Sequence, residues 1–119
     1  MPNFNYRNGR TYEYSILKRI GAQRYVCLRS AGSHGIFDGT CIPLDQNKPI
    51  IFIQAKRSKI GISNIEGYFK EDIEKIRQLP NLPHIIYYLF LKVDGEDEQI
   101  FKINKESIEK VENIYTLIP

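Results

Sequence analysis

The sequence predicts an α/β protein: a central mixed β-sheet flanked by helices, in the order α-β-β-β-α-β-β-α. Three observations predict it. The run Lys48-Pro49-Ile50-Ile51-Phe52-Ile53-Gln54-Ala55-Lys56 is β-branched, apolar and strand-like. Ile85-Ile86-Tyr87-Tyr88-Leu89-Phe90-Leu91 is almost unbroken in its apolar character, as a strand buried on both faces is. Between them, Ser63-Asn64-Ile65-Glu66 is a capping box, and Ile65, Phe69, Ile73 and Ile76 recur at helical spacing. A helix joining two such strands makes them parallel neighbours through a crossover. At 119 residues and 42% hydrophobic content, the chain is long enough for one domain, 1–119, with a real core.

The elements follow in order. Asn8 or Thr11 caps a first helix that runs to about Ile20 and stops at Gly21. Its inward stripe holds Glu13, Ile16, Leu17 and Ile20, so a carboxylate sits on or beside the packed face. The plain alternative is an exposed Glu in the first turn, favoured by the helix dipole. Arg24 to Ser30 is a strand. Ser30-Ala31-Gly32-Ser33-His34-Gly35 is a flexible loop with exposed backbone N–H groups. It is either an ordinary hairpin loop or a phosphate-contacting one, with Ser33 and His34 as the contacts. Ile36 to Ile42 is a second strand, and Asp45-Gln46-Asn47-Lys48-Pro49 is a turn. After the second helix, stopped by Pro80, the strand from His84 to Val93 turns at Asp94-Gly95-Glu96-Asp97 into a strand from Gln99 to Ile103. Asn104 caps a last short helix, Lys105 to Glu112. An apolar tail, Ile114 to Pro119, then covers the core or a subunit interface.

The chemistry concentrates in one hairpin. With the turn centred on Gln46, Asp38 and Gln54 lie equally far from the centre and face each other. Their Cβ atoms are then roughly 5 Å apart on one face of the sheet. A slip of one residue would separate them. Period-two alternation places Lys56 on the same face as Gln54. A carboxylate, an amide oxygen and an ammonium thus meet at the end of an apolar hairpin, a donor set suited to Mg²⁺ and phosphate.

Net charge is +3. Arg7, Arg10, Lys18, Arg19, Arg24 and Arg29 face only Glu13 within their stretch, and Lys56, Arg57 and Lys59 form a second basic group. The half holding the hairpin is the half suited to a polyanion. Cys27 and Cys41 form no CxxC pair, so they read as small buried hydrophobes rather than zinc ligands. The acidic turn lacks calcium-loop spacing. There is no apolar stretch of membrane-spanning length and no signal-peptide core near Met1, which predicts a cytoplasmic protein with no membrane partner.

Gly9-Arg10-Thr11-Tyr12-Glu13, Arg29 to Asp38, and Ile53-Gln54-Ala55-Lys56-Arg57-Ser58-Lys59, in that order, resemble the PD-(D/E)xK nuclease superfamily. Within it they look like the archaeal-type Holliday junction resolvases of archaea and some viruses. The resemblance covers Gly9 to Lys59, and the remainder by element order. It implies metal ligands at Glu13, Asp38 and Gln54, with the Ala55 carbonyl, and a catalytic Lys56. It implies a supporting role for Ser33, Mg²⁺ with Mn²⁺ as a substitute, and a homodimer that cuts four-way junctions symmetrically. Phosphates would be held by Arg10, Arg29, Ser33, His34, Arg57 and Lys59. Gln54 departs from the Glu that many members carry, and it contributes an oxygen without a charge. A duplex-cutting enzyme of the same superfamily and a junction-binding protein without catalysis stay open as alternatives. The setting implied is an archaeal cell or a virus-infected host.

Overall fold

The computed structural model describes residues 4–30 and 35–113, with the first helix's side chains described from Arg10. Helix α1 (Phe4–Gly21) is followed by strands β1 (Tyr25–Arg29), β2 (Gly39–Pro43) and β3 (Ile50–Ser58). Two helices, α2 (Ile65–Tyr68) and α3 (Lys70–Arg77), lead to β4 (Ile85–Val93), β5 (Gln99–Ile103) and β6 (Ile108–Val111). The six strands form one sheet in sequence order. All neighbours are antiparallel except β3 and β4, which run parallel from Ile50↔Ile85 to Ser58↔Val93. The sheet is mixed, as the long apolar run and the crossover require.

Each face has its own core. On one, Tyr12, Ile16, Leu17 and Ile20 of α1 pack on Tyr25, Cys41, Ile51, Ile53, Tyr88 and Phe90. On the other, Ile73 and Ile76 of α3 pack on Leu89, Leu91, Val93, Phe101 and Ile103. Burial of this order stabilises by about 1.5–3 kcal/mol for each large apolar side chain, before the entropy of ordering is subtracted.

Four sequence expectations shift. The first helix starts near Phe4, so neither Asn8 nor Thr11 caps it, and Glu13 sits well inside it rather than in the first turn. The second helix is capped by Asn64, whose side chain accepts from Gly67 N–H, and it breaks at Phe69 into α2 and α3. The second strand begins at Gly39 rather than Ile36. The last described element is a strand, not the helix expected at Lys105 to Glu112: Ile108–Val111 pairs with Ile100–Ile103. The Asn104 side chain, read as a helix cap, donates to Ser107 Oγ in the turn between β5 and β6. The β5 edge offers a ladder to Ile108 and Val111, and that outweighs the helical propensity of a stretch too short to hold a helix alone. The tail Ile114 to Pro119 lies outside the described residues.

Candidate active site

The β2–β3 register places the site. Gly39↔Ile53, Thr40↔Phe52 and Cys41↔Ile51 are all centred on Gln46, the centre on which the sequence reading of the hairpin depended. The paired register ends at Gly39, but Asp38 N–H still donates to the Ile53 carbonyl and the Asp38 carbonyl accepts from Ser30 N–H, both at 2.9 Å. Phe37 belongs to the α3-side cluster and stacks on Tyr87 at 5.5 Å, whereas a Cβ on Gly39 would point at Leu17 of α1. Residues two apart therefore face opposite sides, and alternation breaks at Asp38. Its carboxylate turns into the line of the ladder, where Oδ2 accepts from Ala55 N–H at 2.7 Å. A side-chain oxygen continues the sheet where the β2 backbone leaves it.

Gly39 also sets where α1 lies. Its missing Cβ would stand 2.7 Å from Leu17 Cδ2 and 3.2 Å from the Leu28 carbonyl oxygen. Helix and sheet thus touch closely at Leu17, and Glu13, one turn earlier, is carried to the strand end beside Asp38. Arg29 is registered opposite Gly39 and shares its face, and its Nε donates to Glu13 Oε2 at 2.8 Å. Burial raises the Glu13 pKa above its ordinary value. The Asp38 charge adds to the rise, and the Arg29 bond reduces it without reversing it.

Gln54 and Lys56 stand on the other face. They are registered with Leu89 and Leu91, whose side chains belong to the α3-side core. Gln54 is 5% exposed, and its Oε1 is buried with no hydrogen-bond partner. Lys56 Nζ lies 2.8 Å from Asp72 Oδ2 and 5.8 Å from the centre of the Phe69 ring. Burial opposes ionisation of Asp72, but Lys56 and the Gln54 amide outweigh it and lower the pKa. The expected Asp38–Gln54 pair on one shared face is therefore corrected. The turn centre holds, but the groups approach the strand end from opposite faces, with Asp38 in the line of the ladder between them.

Sequence reasoning missed Asp72, although the signal was present. Phe69, Asp72, Ile73 and Ile76 form the same inward spacing that singled out Glu13. It also missed the Arg29–Glu13 pair, which needs the β1–β2 register. Arg10 and Arg29 lie 5.9 and 5.3 Å from the centre of the Tyr14 ring, a basic and aromatic rim beside Glu13. Arg57 is exposed and pairs with Asp94 at 3.0 Å, and Lys59 is exposed. Ser33 and His34 lie outside the described residues.

These groups suit a hard divalent ion. Among the described residues no three His, Cys, Asp or Glu side chains gather as a cation site. The chain offers two facing carboxylates and a buried, unpartnered amide oxygen, the oxygen donors such an ion takes. A cation beside Asp38 would relieve the Glu13–Asp38 repulsion, and on the other face Gln54 Oε1 is a buried oxygen without a partner, which costs about 1–3 kcal/mol. No helix among the described residues is long and apolar enough to cross a membrane. The chain matches no protein-family model, and no curated protein matches it.

Proposed function

We propose that this protein is a metal-dependent DNA endonuclease that resolves four-way junctions as a homodimer. The observation that carries the reading is the pairing of Glu13 with Asp38 at the end of β2, with a buried, unpartnered Gln54 oxygen and Lys56 on the other face of the adjacent strand β3. Two carboxylates, an orphaned amide oxygen and an ammonium are what phosphodiester hydrolysis with a divalent ion needs. Their order along the chain is that of the PD-(D/E)xK resolvases.

Asp38 and Gln54, with the Ala55 carbonyl, would hold Mg²⁺ or Mn²⁺. When bound, the ion supplies polarisation of the scissile phosphate and a water of lowered pKa. Lys56, anchored by Asp72, aims its ammonium at the attacking water or at charge growing on the phosphate. Glu13 accepts hydrogen bonds from water around the site once Arg29 turns to a neighbouring phosphate. Arg10, Arg57 and Lys59 hold further phosphates, positioning DNA by its backbone. The Arg57–Asp94 pair is on the surface and exchanges readily for a phosphate.

The dimer is supported by the outer face of the β1–β2 hairpin. Val26 and Ile42 are cross-strand partners there, and with Leu28 and Leu44 they are 43–62% exposed. Apolar residues clustered in this way on a sheet face are suited to a second copy.

The test uses a labelled four-way junction and a linear duplex of the same sequence. Each is incubated with Mg²⁺ or chelator, alongside Asp38→Asn. Paired, symmetric, Mg²⁺-dependent nicks in the junction alone are the expected result. Equal cutting of the duplex would make it a restriction- or repair-type nuclease. Tight junction binding without any nick would make it a binding protein.

A further inference from the structure

Cys27 and Cys41 are free thiols that the proposed hydrolysis does not use. They are direct partners in the antiparallel β1–β2 ladder. At one end of that ladder Ser30 N–H donates to the Asp38 carbonyl at 2.9 Å, and at the other Leu44 N–H donates to the Arg24 carbonyl at 3.0 Å. Hydrogen-bonded and non-hydrogen-bonded pairs alternate along such a ladder. Counted inward from either end, Cys27↔Cys41 is a non-hydrogen-bonded pair. Its Cα atoms are then about 4.5 Å apart, with the side chains at their closest. That separation lies at the short end of the disulfide range, about 4.4–6.8 Å. A link can form without moving the strands, and its compressed geometry makes it easy to reduce again.

Both side chains lie on the α1 face. Cys41 is fully buried in the cluster that holds Ile16, Ile20, Tyr25 and Ile51, and Cys27 packs against that cluster from β1, an edge strand. Cys27 is half-buried, so an oxidant reaches it first and Cys41 waits across the ladder. The pair sits one same-face step from Arg29↔Gly39, the rung that meets Glu13 and Leu17 of α1.

We infer that Cys27 and Cys41 are an oxidation site, at which a peroxide converts the two thiols into a reversible disulfide that staples β1 to β2. The Cys27 sulfur attacks one oxygen of hydrogen peroxide and the O–O bond breaks. The departing hydroxide takes the thiol's proton and leaves as water, and Cys27 becomes a sulfenic acid. The Cys41 sulfur then attacks the Cys27 sulfur, the S–O bond breaks, and the hydroxyl leaves with the Cys41 proton as a second water. Both thiols are oxidised and one peroxide is reduced to two waters. The inference stands apart from the nuclease reading.

The experiment treats the native, folded protein with hydrogen peroxide and then with a dithiol, alongside Cys27→Ser and Cys41→Ala. Thiol titration and peptide mapping without reductant read the chemistry, and thermal denaturation reads the fold. The native chain is expected to lose both thiols, to yield a peptide pair linked through Cys27 and Cys41, and to recover both thiols in the dithiol. Its melting temperature should rise by about 5–10 °C on oxidation, because the link closes a loop of the unfolded chain. Cys41→Ala should stop at a sulfenic acid on Cys27 that dimedone labels, and Cys27→Ser should keep its buried thiol. Thiols that survive peroxide in the native chain, oxidation of Cys27 beyond the sulfenic acid there, a link between two chains, or oxidation that does not raise the melting temperature would each overturn the inference. If Cys41→Ala does not fold, the native protein and Cys27→Ser decide alone.

Discussion

Six residues apart on α1, Glu13 and Arg19 each join an ion pair of nearly the same length, yet the two carboxylates respond in opposite ways. Arg19 donates twice to Glu98, at 2.7 and 2.8 Å, and Tyr12 Oη donates to it at 2.7 Å. Burial opposes the Glu98 charge, but these donors outweigh burial and hold its pKa below the ordinary value. Arg29 reaches Glu13 at 2.8 Å with Asp38 beside it, and there burial and the second carboxylate win. The first carboxylate has three donors and no rival and fastens the helix to the sheet. The second shares its place with another carboxylate, and the tension is the kind a cation or a phosphate-bound arginine relieves. An ion pair's length alone does not tell which it is. The count of donors and like charges around it does.

The largest effect that would separate the two regions is catalytic. Asp38→Asn keeps an oxygen that can accept from Ala55 N–H and removes one charge. Cleavage should fall by about 10²–10³-fold, roughly 3–4 kcal/mol in the barrier, with the melting temperature nearly unchanged. Single-turnover kinetics and thermal denaturation check both parts. A large drop in melting temperature would show that Asp38 is a structural acceptor of the Glu98 type.

Glu98→Ala should do the reverse. It removes the Glu98 acceptor that Arg19 and Tyr12 share and should cost about 1–3 kcal/mol of stability in chemical denaturation, with cleavage by the folded fraction retained. Gly39→Ala lies between the regions. Its new methyl meets Leu17, the Leu28 carbonyl and Ile53, and should cost about 1–3 kcal/mol. By lifting α1 it should also weaken Mn²⁺ binding, because Glu13 moves with Leu17.

The pH dependence gives opposite slopes. The Glu98 pKa is lowered in the folded protein, so its contribution is present above the unfolded value and is lost as pH falls through the folded one. The Glu13 pKa is raised, so its contribution is present below the unfolded value and is lost as pH rises through the folded one. In metal-free buffer, Glu98→Gln should therefore flatten the acid limb of the stability curve. Glu13→Gln should leave the protein as stable as native at neutral pH or more so, by about 0.5 kcal/mol, the scale of a single partly exposed pair. Urea melts across the acid-to-neutral range read both. A clear loss of stability in Glu13→Gln would mean that the Arg29 pair is a fastening like the other.

Much of this was legible in the chain. Turn composition placed the hairpin turn at Asp45 to Pro49, and the ladder from Gly39↔Ile53 to Cys41↔Ile51 has the Gln46 centre that was supposed for it. Helical spacing put Glu13 on the packed side of α1, and a strand from Gln99 to Ile103 is where it was read. The same spacing in α3 contained Asp72 and went unread, because a lysine's partner cannot be chosen among fourteen acids without knowing which helix crosses the strand. The last strand was read as a helix because its ladder partner, β5, is a neighbour in space whose unpaired edge no local propensity registers.

Periodicity and turn chemistry, which act over a few residues, determined by themselves the sheet's parallel centre, its apolar strands and which side chains point inward. Tertiary structure alone decided that Asp38 leaves the strand's alternation, that Arg29 rather than solvent meets Glu13, and that Asp72 meets Lys56. Those contacts join residues brought together only when two helices close on opposite faces of one sheet. Burial and neighbouring charge exist only there, and they set what each carboxylate does.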